Sequence, residues 1–383
     1  MIYLDNAATS FPKPECVYTE MNRCMREYCS NPGRGSHSLS VKSGMAVMAA
    51  RERICSLFNI SDPMRIVFTK NATEALNMAI KGIAAPGCHI ITTCMEHNSV
   101  MRPLRTLERD MNVRLSIVDG NGLGEIEPDD IRREIRRDTV LIVSTLSSNV
   151  NGIVMPIDEI GKISREHGIL FLVDASQGAG SMTIDAARQN IDMLAVPGHK
   201  GLMGPQGTGF LYVREGIVLK TLMEGGTGSN SDYVYQPEIM PDMLESGTLN
   251  TPGIVGLEAG ARYIAETGIV RIGEEKYALT KMLIDGIRNI TGVKLYSAYE
   301  KRRNSGIVAM NLDGVDSAEL SHMLDRDFGI CTRAGLHCAP GAHRVLGTLQ
   351  TGAVRFSVGF FNTEVEIMNT IKAIEAISCK KLS

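Results

Sequence analysis

Between residues 65 and 213, short apolar runs alternate with stretches in which apolar side chains return every three to four positions. The runs at 65–69, 89–93, 114–118, 140–145, 169–174, 193–196 and 209–213 are rich in Val, Ile and Leu, with little polar alternation. That is the pattern of strands covered on both faces. The stretches at 73–84, 99–110, 128–136 and 157–167 have helical spacing. Their regular alternation predicts an α/β fold with a mainly parallel, doubly wound sheet of seven strands. Ligands of such sheets bind beyond the carboxyl ends of the strands, so the loops after the strands are where chemistry is expected.

A polar, glycine-rich stretch at 224–231 follows the last of these runs and reads as a loop. Helical patterns come next at 252–267 and 272–290. The rhythm then changes to strands at 293–296, 306–312, 329–333 and 353–358, with a helix at 317–327. A closing helix starts at a capping box, Thr363 with Glu366, and carries an apolar stripe at Ile367, Ile371 and Ile374. The organisation expected is a segment 1–20 packing across both domains, a large domain 21–250, and a smaller α+β domain 251–383.

Composition narrows the classes. A chain of 383 residues with 44% hydrophobic and 22% charged residues has the make-up of an ordinary globular protein. Its net charge of -3 gives no basic field for nucleic acid. No apolar run approaches the roughly 18 residues that span a bilayer, and the first residues lack the basic and apolar regions of a signal peptide. The expectation is a cytoplasmic protein with no membrane and no nucleic-acid partner. Nine cysteines, none in a Cys-x-x-Cys pair, suit a reducing compartment and predict no metal site.

Six segments carry candidate chemistry. Lys200, in Gly198-His199-Lys200-Gly201, follows a short apolar strand. A lysine held partly unprotonated there can form a Schiff base, and its flanking glycines would let the backbone approach a bulky ligand. The ordinary alternative is a solvated loop lysine. Asp174 ends a buried strand and needs a partner, either a protonated ring nitrogen or a helix cap. Asn71-Ala72-Thr73-Glu74 lies between a strand and a helix and offers free N–H groups and a hydroxyl to a phosphate, though it is also a common cap. His97 follows another strand, where an imidazole can stack on an aromatic ring and move protons. Cys338 sits between Gly335 and Pro340, in a loop where Arg333, His337 and Arg344 are the cations that would favour its thiolate. Arg355 is a lone charge inside an apolar strand and requires an anion, a substrate carboxylate or an internal ion pair.

Taken together and in this order, the segments resemble the class V, fold-type I enzymes that depend on pyridoxal 5'-phosphate, and within them the cysteine desulfurase and selenocysteine lyase branch with an Arg-x-Gly-x-His-Cys motif. The likeness runs from Tyr3-Leu4-Asp5-Asn6-Ala7-Ala8-Thr9 to Val354-Arg355-Phe356-Ser357. It implies a Schiff-base role for Lys200, a ring-nitrogen partner in Asp174 and a stacking histidine in His97. It also implies Gln177 and Asn149 near the ring oxygen, and Ala72, Thr73 and His199 at the phosphate. Asn149 and Arg355 would hold the substrate carboxylate, and Cys338 would become the persulfide. Thr248, in Ser246-Gly247-Thr248, resembles a threonine lent by a neighbouring subunit, which implies a homodimer. The substrate implied is L-cysteine, with L-selenocysteine as the alternative, and the short stretch from Cys338 to Arg355 implies a protein acceptor for the sulfur. The destination of that sulfur stays open among iron–sulfur clusters, thiolated tRNA, molybdenum cofactor and selenium metabolism.

Two departures stand out. Pro197 occupies the place of a phosphate-binding serine and has neither hydroxyl nor N–H. Gly33-Arg34-Gly35 matches the family only partly. More distant readings are a class V aminotransferase and a cofactor-free binding protein on the same scaffold. The first is opposed by Cys338, the second by the presence of both Lys200 and Asp174.

Overall fold

The computed structural model describes residues 1–33, 35–229, 232–297 and 304–382. Arg34 and the end of the glycine-rich stretch, at 230–231, lie outside the described residues.

The apolar runs form one seven-stranded sheet, in the spatial order Ile66–Thr69, Gly209–Val213, Met193–Pro197, Leu170–Asp174, Thr139–Thr145, His89–Thr93, Arg114–Val118. Gly209–Val213 runs antiparallel to both its neighbours, and the remaining pairs are parallel. The lack of polar alternation has a direct cause. Ile142, Phe171, Val173, Leu194 and Val196 point into one core, while Leu141, Val143, Leu172, Met193 and Ala195 point into another on the opposite face. Successive side chains of a strand face opposite ways, so burial on both sides demands an apolar residue at every position.

The smaller sheet has four antiparallel strands in the order Arg333–Gly335, Ala353–Ser357, Ile307–Leu312, Val293–Leu295. The single run expected at 329–333 is two strands. Ile330–Cys331 pairs in parallel with Ile2–Tyr3, and the chain then crosses at Thr332 to enter the four-stranded sheet. Leu4 is buried with Val308, Met310, Phe356 and Ile374 in this smaller core, so the first residues of the chain are built into its far end.

Two helices, Glu15–Glu27 and Ser38–Phe58, lie outside the elements expected from the sequence. Helix Thr251–Thr267 packs on both, and its Ile254, Leu257 and Ile264 join a core of the large sheet. Among the described residues no helix is long and apolar enough to cross a membrane, and no group of three His, Cys, Asp or Glu residues is arranged to hold a metal ion.

Candidate active site

The site forms where the parallel strands end. Asp174 closes strand Leu170–Asp174, which pairs with Met193–Pro197, and Lys200 lies three residues beyond that second strand. Asp174 is 2% exposed, and one of its carboxylate oxygens accepts from the Ser176 N–H at 2.9 Å. Burial lowers the pKa of Lys200 to about 8, with Arg355 and Arg333 pushing the same way and Asp174 and Asp5 opposing them. A lysine in that range offers a free amine at a working pH.

The glycines beside Lys200 serve the protein's own packing. A side chain on Gly201 would stand 1.9 Å from the Ala179 carbonyl oxygen, and one on Gly198 2.2 Å from Thr208 Oγ1. Gly198 packs its loop against Thr208, and Gly201 lets that loop lie against the one that carries Gln177. That side chain is buried, donates to the Ala7 carbonyl at 2.9 Å, and lines with Lys200 a cavity of about 40 Å³.

His97 caps helix Asn98–Met111, its Nδ1 accepting from the Ser99 N–H. The Ser99 hydroxyl is 2.9 Å from that nitrogen and 2.8 Å from Thr73 Oγ1. Burial lowers the pKa of His97, against the opposing pull of Asp174. Thr73 and Ala72 open helix Ala72–Ile83, whose cap, Asn71, accepts from the Glu74 N–H. Thr73 is exposed and Ala72 buried. His199 is brought to a pKa of about 4, first by burial and then by Lys200 and Lys13. Its Nδ1 is buried without a hydrogen-bond partner among the described residues. Pro197 ends its strand opposite Gly209.

The cysteine loop is tied to this frame from two sides. Asn98 N–H donates to the Cys338 carbonyl at 2.7 Å, and Asn149 Nδ2 donates to the His337 carbonyl at 2.7 Å. His337 and Cys338 have φ of 48° and 58°, a left-handed pair that costs non-glycine residues roughly 1–2 kcal/mol each. The two hydrogen bonds hold that turn, which leaves Cys338 exposed. Beyond it the chain forms a short helix, Pro340–Val345, rather than an open loop.

His337 does not serve as a cation for the thiolate. It is 3% exposed, its Nε2 donates to the Ala353 carbonyl at 3.1 Å, and burial pushes its pKa down to about 2. Arg344 is exposed on the short helix. Arg333 stands opposite Arg355 in the sheet and has no carboxylate partner among the described residues.

Arg355 is 1% exposed. It donates to the Asn149 carbonyl at 2.9 Å and to Asp5 Oδ1 at 2.8 Å, while its Nε has no partner. The internal ion pair weighed for this strand is therefore present, with donors left over. Thr248 is exposed on the loop after Gly209–Val213, and no hydrogen bond links it to the other candidate residues among those described.

Sequence reasoning missed Asp5 and Glu96. Asp5 lay in plain view as the acid of the opening motif, and a buried arginine in search of an anion was the signal. Glu96 is fully buried and binds the ends of two strands through one oxygen, which accepts from Thr93 Oγ1 at 2.7 Å and Thr145 N–H at 2.9 Å. Burial raises its pKa to about 8; its preceding strand gave no hint of this.

A lysine, a buried acid and a histidine at the carboxyl edge of a mainly parallel sheet, joined by an arginine of the smaller sheet and the cysteine turn beside it, define a class. The aminotransferase class-V family model matches residues 2–369, and the chain belongs to that family. Within it, the chain is 36% identical over 384 residues to a protein of Methanothermobacter thermautotrophicus named "Probable cysteine desulfurase", covering 98% of this chain and 94% of that one. It is 35% identical over 389 residues to "Cysteine desulfurase IscS" of Photobacterium profundum, covering 97% and 91%. The apo structure of a cysteine desulfurase from Thermococcus onnurineus NA1 superposes with a TM-score of 0.93 at 32% identity, covering 99% of this chain and 95% of that one.

Proposed function

We propose that this chain is a pyridoxal-phosphate-dependent cysteine desulfurase that removes sulfur from L-cysteine, releases L-alanine and carries the sulfur as a persulfide on Cys338. The observation that carries the reading is the approach of two domains: the amine of Lys200 and the acid of Asp174 on adjacent strand ends, with the Cys338 turn bonded to Asn98 and Asn149 beside them.

The residues suit the cofactor. The unpartnered, buried Nδ1 of His199 fits a phosphate oxygen, as do the free N–H groups at Ala72 and Thr73. The buried carboxylate of Asp174 fits a ring N–H, and the lowered pKa of Lys200 fits an aldehyde. Once bound, the cofactor supplies an electron sink for the carbon that loses its proton. Arg355, with Asn149, would hold the substrate carboxylate through the guanidinium donors that Asp5 leaves free. The Lys200 amine takes the proton from the α-carbon and later returns one. The Cys338 thiolate forms a bond to the substrate sulfur while the carbon–sulfur bond breaks, its electron pair staying with carbon. Protonation of that carbon fragment completes alanine. An acceptor protein thiol then collects the sulfur from exposed Cys338.

Exposed Thr248 suits a homodimer in which each copy lends it to the other's phosphate site. A cytoplasmic setting suits nine cysteines that are all unpaired. The test is incubation with cysteine or selenocysteine, measuring alanine and chalcogenide together. Cys338→Ala should keep the cofactor's yellow colour and lose alanine formation from cysteine, while Lys200→Ala should lose the covalent link. Equal turnover of cysteine by wild type and Cys338→Ala would remove the role given to this thiol.

A further inference from the structure

Lys13 has no task in the reaction described above. It is half-buried, and among the described residues no carboxylate pairs with it. Burial alone lowers its pKa to about 8. Its ammonium donates to two groups, Ser10 Oγ at 2.8 Å and the His199 carbonyl at 2.7 Å. That carbonyl belongs to the peptide that leads into Lys200, and it is crowded with donors. Ser10 N–H and Thr9 Oγ1 each approach it at 3.1 Å, and Ser10 Oγ lies 3.3 Å away. Ser10 Oγ also reaches the next carbonyl, that of Lys200 itself, at 2.9 Å. The one Ser10 hydroxyl proton goes to the nearer Lys200 carbonyl, and a carbonyl has two lone pairs, so the three donors left around the His199 oxygen, Lys13 Nζ, Ser10 N–H and Thr9 Oγ1, give its peptide little freedom to turn.

The other end of the same segment is fixed to the second domain. Ala7 N–H donates to Ser357 Oγ at 2.8 Å, Ser357 N–H to the Leu4 carbonyl at 2.7 Å, and Asp5 holds Arg355. Residues 4–13 therefore join the strand that bears the arginine to the loop that bears the lysine.

We propose that Lys13 is a positioning residue: through the His199 carbonyl its ammonium locks the peptide carrying Lys200, and the segment 4–13 sets that amine at a fixed place relative to Arg355. The proposal rests on the reading that Lys200 carries the cofactor. A desolvated ammonium is a costly anchor, and a charged donor makes a stronger bond to a carbonyl than a neutral one does.

The test uses the full-length chain, stripped of cofactor and reloaded with pyridoxal 5'-phosphate. Borohydride reduction followed by peptide mass reads the fraction of Lys200 carrying the cofactor as a function of pH. The charges around Lys200 that stay constant across the variants are Asp174, Asp5, Arg333 and Arg355, and the titratable groups that also face it are His97 and His199, both with a pKa lowered chiefly by burial. In Lys13→Met the freed loop should admit water to the amine, so the midpoint of uptake rises by about 1 unit and the cofactor dissociation constant rises about tenfold. Ser10→Ala removes a bond of the clamp without changing charge and should move the midpoint the same way, which separates positioning from simple loss of a neighbouring cation. Lys13→Arg, still a charged donor, should return most of the effect. The melting temperature of the cofactor-free protein should stay within a few degrees in all three. A wild-type midpoint in Lys13→Met overturns the proposal, as does uptake that falls only in step with melting temperature. Should Lys13→Met not fold, Ser10→Ala decides by the same midpoint. Absence of trapping at Lys200 in the wild type would remove the functional reading and the proposal with it.

Discussion

Among the described residues Arg355 is the largest fully buried side chain, and its charge is met there by a single carboxylate, Asp5, 350 positions away. Removing one partner of a buried pair leaves the other uncompensated, at about 3–5 kcal/mol. Asp5→Asn should approach the lower end of that range, because its own side chain is 21% exposed. The same change should raise KM for cysteine more than it lowers kcat, since it disturbs Arg355, the group proposed to hold the carboxylate; steady-state kinetics beside denaturant unfolding would check both. Glu96 gives a cleaner case. Its folded pKa of about 8 lies above the ordinary 4.5, so between those values the folded protein keeps a proton the unfolded chain releases, and stability falls as pH rises through that window. Glu96→Gln keeps an oxygen for Thr93 and Thr145 and should abolish this slope, leaving the variant more stable than wild type at pH 9 in urea unfolding. Lys200, Asp174, Cys338 and Arg355 were legible in the sequence because each is a reactive or charged residue in an improbable setting. Asp5 was legible only as one possible anion for Arg355, and Lys13 was not legible, because its partner is a carbonyl that only the folded chain brings near.

At the scale of the element, the seven strands and the helices between them were legible to within a residue or two, since two-sided burial writes itself into the sequence as unbroken apolar runs. Helix Ser38–Phe58 was hidden by polar residues on its buried face. In its first turns Leu39, Val41 and Met45 are exposed while Ser40 and Ser43 are buried, and Arg51 is buried among Val47, Ile54 and Phe58 further on, so polar residues interrupt the buried face. Arg51 pairs with Glu245 and reaches the Ile66 carbonyl, a long-range need that periodicity cannot report. The split of 329–333 was hidden as well, because both halves look like strand and only their partners differ. The short helix after Cys338 rests on a close approach. A methyl group on Gly341 would stand 2.4 Å from the Cys94 carbonyl oxygen. Gly341→Ala should lift this helix, cost about 1–3 kcal/mol and slow persulfide formation on Cys338 more than it weakens cofactor binding, which stopped-flow mixing with cysteine and a cofactor titration would separate.

For the molecule as a whole, the buried His89, His337 and His343 and the half-buried His199 set the acid limit. His89, His199 and His343 are brought down to about 4 and His337 to about 2, all chiefly by burial. Below 6.5 the unfolded chain takes up protons that the folded one refuses, so stability is lost as pH falls. They outnumber the opposing Glu96 in the window they share. The melting temperature of the cofactor-free protein should drop steeply between pH 6.5 and 4, and His343→Gln, which keeps a hydrogen-bonding partner for Thr348, should flatten part of that fall. One feature of the architecture reaches beyond equilibrium. A ribosome that has just released strand Met193–Pro197 and the lysine after it has made Lys200, Asp174 and His97, but has yet to make strand Ile330–Cys331 or Arg355. Translation at the usual pace leaves roughly 20–70 s between Asp5 and its guanidinium partner. For all that time the earliest residues wait with their edge uncovered, so whatever shields them during synthesis helps decide how much of the newborn chain matures.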